Sequence, residues 1–226
     1  MSIRRMKDLD CRDKRVLIRV DFNVPIDESG RIIDDHRIAA AIPTIRHVLA
    51  TGGIAILMSH LGRPAGKGFE KAFSLAPVAE RLQLLLGKEH PVHFVSGGCV
   101  GDAAKKAVDA ASPGEVVLLD NLRFEAGEKG NDTAFGAAIA SLADAYVNDA
   151  FGTAHRAHAS MVAVPAAMPG APRVAGLLLE KELRHLSETL ASPGHPFAVI
   201  LGGAKVSDKL AAIRNLLPRT DVIFVG

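Results

Sequence analysis

Residues 15–23 read RVLIRVDFN. Val16–Val20 is a short, largely apolar run, and Asp21-Phe22-Asn23 ends it on polar groups. A run this short, stopped by turn-forming residues, reads as a strand and not as a buried helix. The segments downstream repeat the alternation. Arg37–Ala50 carries a helical pattern, and Ile54–Ser59 is again short and apolar. Leu75–Leu86, Gly101–Ala111 and Thr133–Leu142 read as helices, and Val92–Val95, Val116–Leu119 and Ala145–Asn148 as the strands between them. Strands alternating with helices of this length predict βαβ units and a parallel sheet covered on both faces. The expected fold is therefore α/β, a three-layer αβα Rossmann-like parallel sheet.

Beyond this alternation the texture changes. Pro165–Pro172 (PAAMPGAP) is rich in Pro, Gly and Ala, which marks a boundary. Leu177–Ala191 has leucines at helical spacing, and Ser192-Pro193-Gly194 ends it. A strand at Phe197–Leu201, a Gly-Gly turn, a helix from Ser207 to Leu217 and a strand at Val222–Val225 follow. Two strands and one helix do not enclose a core. The expected organisation is a complete α/β domain at 1–172, a connecting helix at 173–192 and the start of a second α/β domain at 193–226.

Composition narrows the function. The chain of 226 residues is 48% hydrophobic and 23% charged, with a net charge of +2. That charge is too small for a global nucleic-acid field, and with no tryptophan and one tyrosine there is no aromatic platform for single strands. The two cysteines have no metal-type spacing and suit a reducing cytoplasm. No apolar run reaches the roughly 20 residues a membrane helix needs. The N-terminus lacks the apolar stretch of a secretory signal.

Chemistry gathers at the strand ends, where open parallel sheets bind ligands. Asp21 and Asn23 follow the first strand, and His60-Leu61-Gly62-Arg63 follows the second. Asp120-Asn121-Leu122-Arg123 and Asp149…His155-Arg156 follow two later ones, and Arg37 opens the first helix. A parallel sheet puts all these loops on one edge. Arg37, Arg63, Arg123 and Arg156 would repel one another there unless an anion lay between them. Each guanidinium is a planar fork suited to phosphate or carboxylate. Asp21 and Asn23 could hold a ligand hydroxyl, with Asp21 also orienting an arginine.

Taken singly, each residue has a plainer reading. A lone loop arginine is ordinarily solvated, Asp21 could cap a turn, and His60 could be a satisfied structural histidine. His155 and His158 could bind zinc, but no third ligand has supporting spacing. Repetition at strand ends and a helix start favours an anion site. A second signal is Gly202-Gly203-Ala204-Lys205-Val206-Ser207-Asp208-Lys209. A strand, a glycine turn and a lysine-bearing helix start can cradle phosphate. Its spacing is not that of a Walker A loop.

Taken together, RVDFNVP at 19–25, SHLGRP at 59–64, DNLRF at 120–124, NDAFGTAHRAHAS at 148–160 and GGAKVSDK at 202–209 resemble the phosphoglycerate kinase family, in the family's order. Asp120 is a departure, since the family more often has Glu there. The resemblance implies members of about 400 residues in two domains, monomeric when full length. It implies reversible phosphoryl transfer between 1,3-bisphosphoglycerate and MgADP, giving 3-phosphoglycerate and MgATP, in the cytoplasm as part of glycolysis. It places Asp21, Asn23, Arg37, His60, Leu61, Gly62, Arg63, Arg123 and Arg156 at phosphoglycerate, and Gly203, Ala204, Lys205, Asp208 and Lys209 at the nucleotide phosphates. Arg37 and Lys205 are implied as the pair holding the transferring group. No metal ligand is expected in this chain; the ATP/ADP-bound Mg2+ would be held by the part of the family that lies beyond Gly226. The 226 residues alone are expected not to turn over.

Two other classes stand beside this. A non-catalytic anion-binding α/β module would keep the basic edge alone. A dinucleotide binder is disfavoured, because Asp21-Phe22-Asn23 stands where a G-x-G-x-x-G turn would be needed.

Overall fold

The computed structural model describes residues 4–191, 193–202 and 210–226. The chain divides into a unit of Met1–Glu180 and a unit of Lys181–Gly226.

The larger unit is built on a six-stranded parallel sheet. In chain order its elements are β1 (Arg15–Arg19), α1 (His36–Ala50), β2 (Ile54–Met58), α2 (Ala76–Leu86), β3 (Val92–Val95), α3 (Asp102–Ala110) and β4 (Val116–Leu119). They continue with α4 (Ala126–Lys129), α5 (Thr133–Ala140), β5 (Ala145–Asn148), α6 (Ala163–Ala166), β6 (Arg173–Ala175) and α7 (Leu177–Ala191), which runs on into the smaller unit. The strand order is β3-β4-β2-β1-β5-β6. From β1 the chain moves to β2 on one side, and only later does β5 pair on the other, with Val16 opposite both Ala55 and Ala145. The reversal opens a crevice beyond the carboxyl ends of β1 and β5, the topological switch point at which such sheets bind ligands.

Strand residues alternate between two apolar layers. Val16, Ile18, Ala55, Leu57, Val116 and Val147 pack with Ile38, Ile45, Val78 and Leu82 of α1 and α2. Leu17, Ile56, Met58, Val117 and Tyr146 pack on the opposite face with Ala104 and Val108 of α3 and Ile139 of α5. This period-two division produces the three layers expected, and burying each Val, Leu or Ile contributes roughly 1.5–3 kcal/mol. Local signals set the helix starts. Pro77 lies in the first turn of α2, and the Asp132 side chain accepts from Phe135 N at 2.7 Å to cap α5. The start of α7 is capped from a distance: Asp149 Oδ1 accepts from Leu178 N at 2.9 Å and Leu179 N at 3.2 Å. Gly176 leaves room for that carboxylate, since a Cβ there would lie 2.3 Å from Asp149 Oδ1.

One strand escaped the sequence reading. Arg173–Ala175 is β6, pairing with Tyr146–Asn148 of β5 at the sheet's edge. Three residues, one of them arginine, carry no apolar run to detect. The smaller unit holds β7 (Ala198–Leu201), α8 (Leu210–Leu216) and β8 (Val222–Val225), with β7 and β8 parallel. Of the expected helix from Ser207, the positions before Leu210 lie outside the described residues.

Candidate functional site

Four loops and the start of α1 meet at the carboxyl edge of the large sheet. Asp21 leaves β1 and forms an ion pair through Oδ2 with Arg37, whose side chain is 51% exposed. Asn23, two residues on, accepts from Gly62 N through Oδ1 at 2.8 Å. The segment after β2 is therefore tied to the segment after β1.

That second segment, His60–Arg63, is clamped along its backbone. Asn121 Nδ2 donates to Leu61 O at 2.7 Å and to Phe73 O at 2.9 Å. Arg123 donates to Gly62 O at 2.7 Å. Gly62 adopts φ +60°, and a Cβ there would sit 2.5 Å from the Phe73 ring, so only glycine fits the turn. The Leu61 side chain is buried in the core, and both backbone polar groups of Gly62 are used inside the chain. Of this segment His60 is buried, while Arg63 is exposed.

Below the loops lies a buried polar network. Arg19, at the end of β1, is 1% exposed. Its Nε donates to Ser160 Oγ at 3.0 Å, one terminal nitrogen lies 3.1 Å from His60 Nδ1, and the other donates to Val20 O. Ser160 in turn donates to the buried carboxylate of Glu128, from Oγ at 2.7 Å and from its backbone N at 2.9 Å. His158 Nδ1 approaches Glu128 Oε1 at 3.7 Å. Tyr146 Oη donates to Ser160 O at 2.9 Å.

The electrostatics record the crowding of cations. Burial pushes His60 down to about 2, and Arg19, Arg123, His158 and Arg37 push in the same direction. Its imidazole is neutral near pH 7. Burial also lowers Arg123, reinforced by Arg156, Arg19 and Arg63 and opposed by Glu128. Arg123 Nε is buried with no hydrogen-bond partner among the described residues. Burial lowers His158 against the pull of Glu128. Arg37, His60, Arg63, Arg123 and Arg156 therefore share one field, although more than a hundred positions separate the first from the last.

His155 and Arg156 are both exposed. Among the described residues no group of three or more His, Cys, Asp or Glu is arranged to hold a metal ion. Gly203, Ala204, Lys205, Asp208 and Lys209 lie outside the described residues. Sequence reasoning missed Arg19, Glu128 and Ser160 as parts of this site and left Asn121 without a role. Arg19, Asn121 and Ser160 do fall inside three of the quoted strings. Nothing local marks Glu128 as buried. Asp120 proves structural: its carboxylate is buried and accepts from Ser74 Oγ, Leu75 N, Gly97 N and Asn121 N at 2.8–3.1 Å.

A doubly covered parallel sheet with cations gathered at its switch point defines an α/β protein of the Rossmann-like class. Comparison with known proteins narrows the class. The family model described as "Phosphoglycerate kinase" matches residues 6–226, and the chain belongs to that family. It is 52% identical over 226 residues to the phosphoglycerate kinase of Rhodopirellula baltica, covering 100% of this chain and 56% of that protein. Against the phosphoglycerate kinase of Moorella thermoacetica it is 54% identical over 221 residues, 98% of this chain and 54% of the relative. The solved structure of phosphoglycerate kinase from Coxiella burnetii superposes with a TM-score of 0.83 at 39% identity, over 100% of this chain and 54% of that one. That from Pyrococcus horikoshii gives 0.84 at 32% identity, over 99% and 55%. The chain thus spans a little over half the length of the relatives it matches.

Proposed function

We propose that the chain forms the phosphoglycerate-binding part of a phosphoglycerate kinase. The reaction is reversible phosphoryl transfer between 1,3-bisphosphoglycerate and MgADP, giving 3-phosphoglycerate and MgATP, as a cytoplasmic step of glycolysis. The observation that carries this is the convergence of Arg37, His60, Arg63, Arg123 and Arg156 on one edge in a chain of this family. In this reading the arginines and His60 take the phosphate and carboxylate of phosphoglycerate. Asp21 and Asn23 take its hydroxyl, while Leu61 and Gly62 shape the turn that presents His60 and Arg63. The phosphoglycerate domain is taken to run through β6, past the boundary expected at 172, because Arg173–Ala175 pairs into the large sheet; α7 is the connector and residues 193–226 the opening of the nucleotide domain.

Phosphoryl transfer is served mainly by positioning and by neutralising charge on the three equatorial oxygens. Arg37 on the large unit and Lys205 on the glycine loop are proposed to supply that charge from the two substrates' sides. Gly203, Ala204, Asp208 and Lys209 are proposed to line the nucleotide phosphates. No described residue is assigned to Mg2+, whose part is to neutralise the nucleotide's phosphates. The working protein is proposed to be a monomer. Among the described residues, no helix is long and apolar enough to cross a membrane.

The test is thermal unfolding of the chain with 3-phosphoglycerate, beside Arg37→Ala and Arg63→Ala. Ligand at about 100 times its dissociation constant should stabilise the fold by roughly 2.7 kcal/mol. Both variants should lose most of that gain. An unchanged midpoint for the wild-type chain at saturating ligand overturns the reading of this edge.

A further inference from the structure

Arg19 does not stand among the residues that face the crevice. It is buried beneath them and its guanidinium meets three partners: Ser160 Oγ, Val20 O and His60 Nδ1. A guanidinium has only donors. Whatever nitrogen lies 3.1 Å from it must therefore accept, so His60 Nδ1 carries a lone pair and no proton. In a neutral imidazole the proton then resides on Nε2. We propose that Arg19 is a positioning residue that locks His60 in the Nε2–H tautomer. His60 thereby becomes a neutral donor toward the bound anion, with Ser160 and Glu128 holding the Arg19 fork in place. This deepens the phosphoglycerate reading and rests on it for the identity of the anion.

The arrangement has a physical rationale. A neutral donor adds a hydrogen bond to an anion without adding another charge to an edge already crowded with arginines. Left to itself a histidine exchanges tautomers and titrates near neutrality. Among the described residues, the charged and titratable groups that act on His60 are Arg19 from β1, Arg37 from α1, Arg123 after β4 and His158 beyond β5. All four disfavour imidazolium. Among the described residues only Arg19 touches the ring with a hydrogen bond, and so it is Arg19 that selects which nitrogen is protonated. Glu128 offsets the buried charge of Arg19 through the shared Ser160 hydroxyl, which accepts from one and donates to the other. A buried guanidinium without such partners would be costly.

The test is nitrogen NMR of the histidine rings in the 226-residue chain, with His60 assigned by its disappearance in His60→Gln. In the wild type the Nδ1 of His60 should resonate as unprotonated and Nε2 as protonated, with no titration between pH 5 and 8. In Arg19→Met the pair should move toward tautomer averaging. Affinity for 3-phosphoglycerate should fall by about tenfold or more, by analogy with the loss of a partner that orients a metal-ligating histidine. A wild-type His60 protonated on Nδ1, or one that titrates in that range, overturns the proposal. So does Arg19→Met with unchanged ring shifts. If Arg19→Met does not fold, the wild-type spectrum alone decides. If 3-phosphoglycerate does not bind the wild type, the ligand reading fails while the tautomer result still stands or falls by the spectrum.

Discussion

The two units use similar strands to opposite effect. In the larger one, β2 reads IAILM and β4 reads VVLL, and every residue of both is buried. In the smaller one, β7 reads AVIL and β8 reads VIFV, yet Ile200 is 80% and Phe224 56% exposed. Residue type alone does not separate them. The difference is the number of layers each strand meets. β2 has strands on both sides and helices over both faces, whereas β7 and β8 form a two-stranded sheet. Two strands alone are marginal in water, and three layers make a core.

The largest expected contrast is in amide exchange. Amides of β1, β2 and β4 should exchange only by global unfolding, while those of β7 and β8 exchange through local opening. Protection of β7 equal to that of β2 breaks the comparison. Next comes side-chain truncation. Leu57→Ala, at a fully buried position, should cost about 2–5 kcal/mol in denaturant unfolding. Phe224→Ala should change the main transition by less than about 0.5 kcal/mol. A large loss at Phe224 would show that β8 contributes to the global core after all.

The smallest effect is electrostatic and sharpens the comparison at the surface. Asp144 is held below the usual carboxylate range first by the Arg15 side chain, which donates at 3.0 and 3.3 Å. Asp221 is lowered first by Phe197 N at 2.6 Å and then by His195. A carboxylate depressed in the folded state contributes stability above its unfolded value, and that contribution is lost as pH falls through the folded value. Asp144→Asn should therefore cost no more than about 1 kcal/mol at pH 7. The deficit should shrink toward zero below pH 4. For Asp221→Asn the same pH trend should be confined to exchange in residues 197–225. A deficit that grows in acid would contradict both assignments.

Much of this was legible beforehand. The runs at Ile54, Val92, Val116 and Ala145 became strands within a residue or so of their expected ends, because continuous apolar runs between turn residues are a local signal. The arginines and His60 fell on one edge because parallel connection puts every βα loop on the same side. β6 was not legible, since Arg173–Ala175 is a strand only because β5 offers it a partner. Leu61 was grouped with the site, yet its side chain belongs to the core and only its backbone serves the turn.

By itself the sequence determined the alternation of strands and helices, the strand ends that carry arginine, and the family whose ordered strings it contains. Those are properties of neighbouring residues and of residue type. Only the tertiary structure decided which polar groups are buried and whom they meet: Glu128 beneath Ser160, Asp120 under the α2 start, Arg19 against His60 Nδ1. Burial and hydrogen-bond partnership arise between residues separated by tens to more than a hundred positions. No local pattern encodes them, and the tautomer proposed for His60 rests on an arginine 41 positions away, at the end of β1.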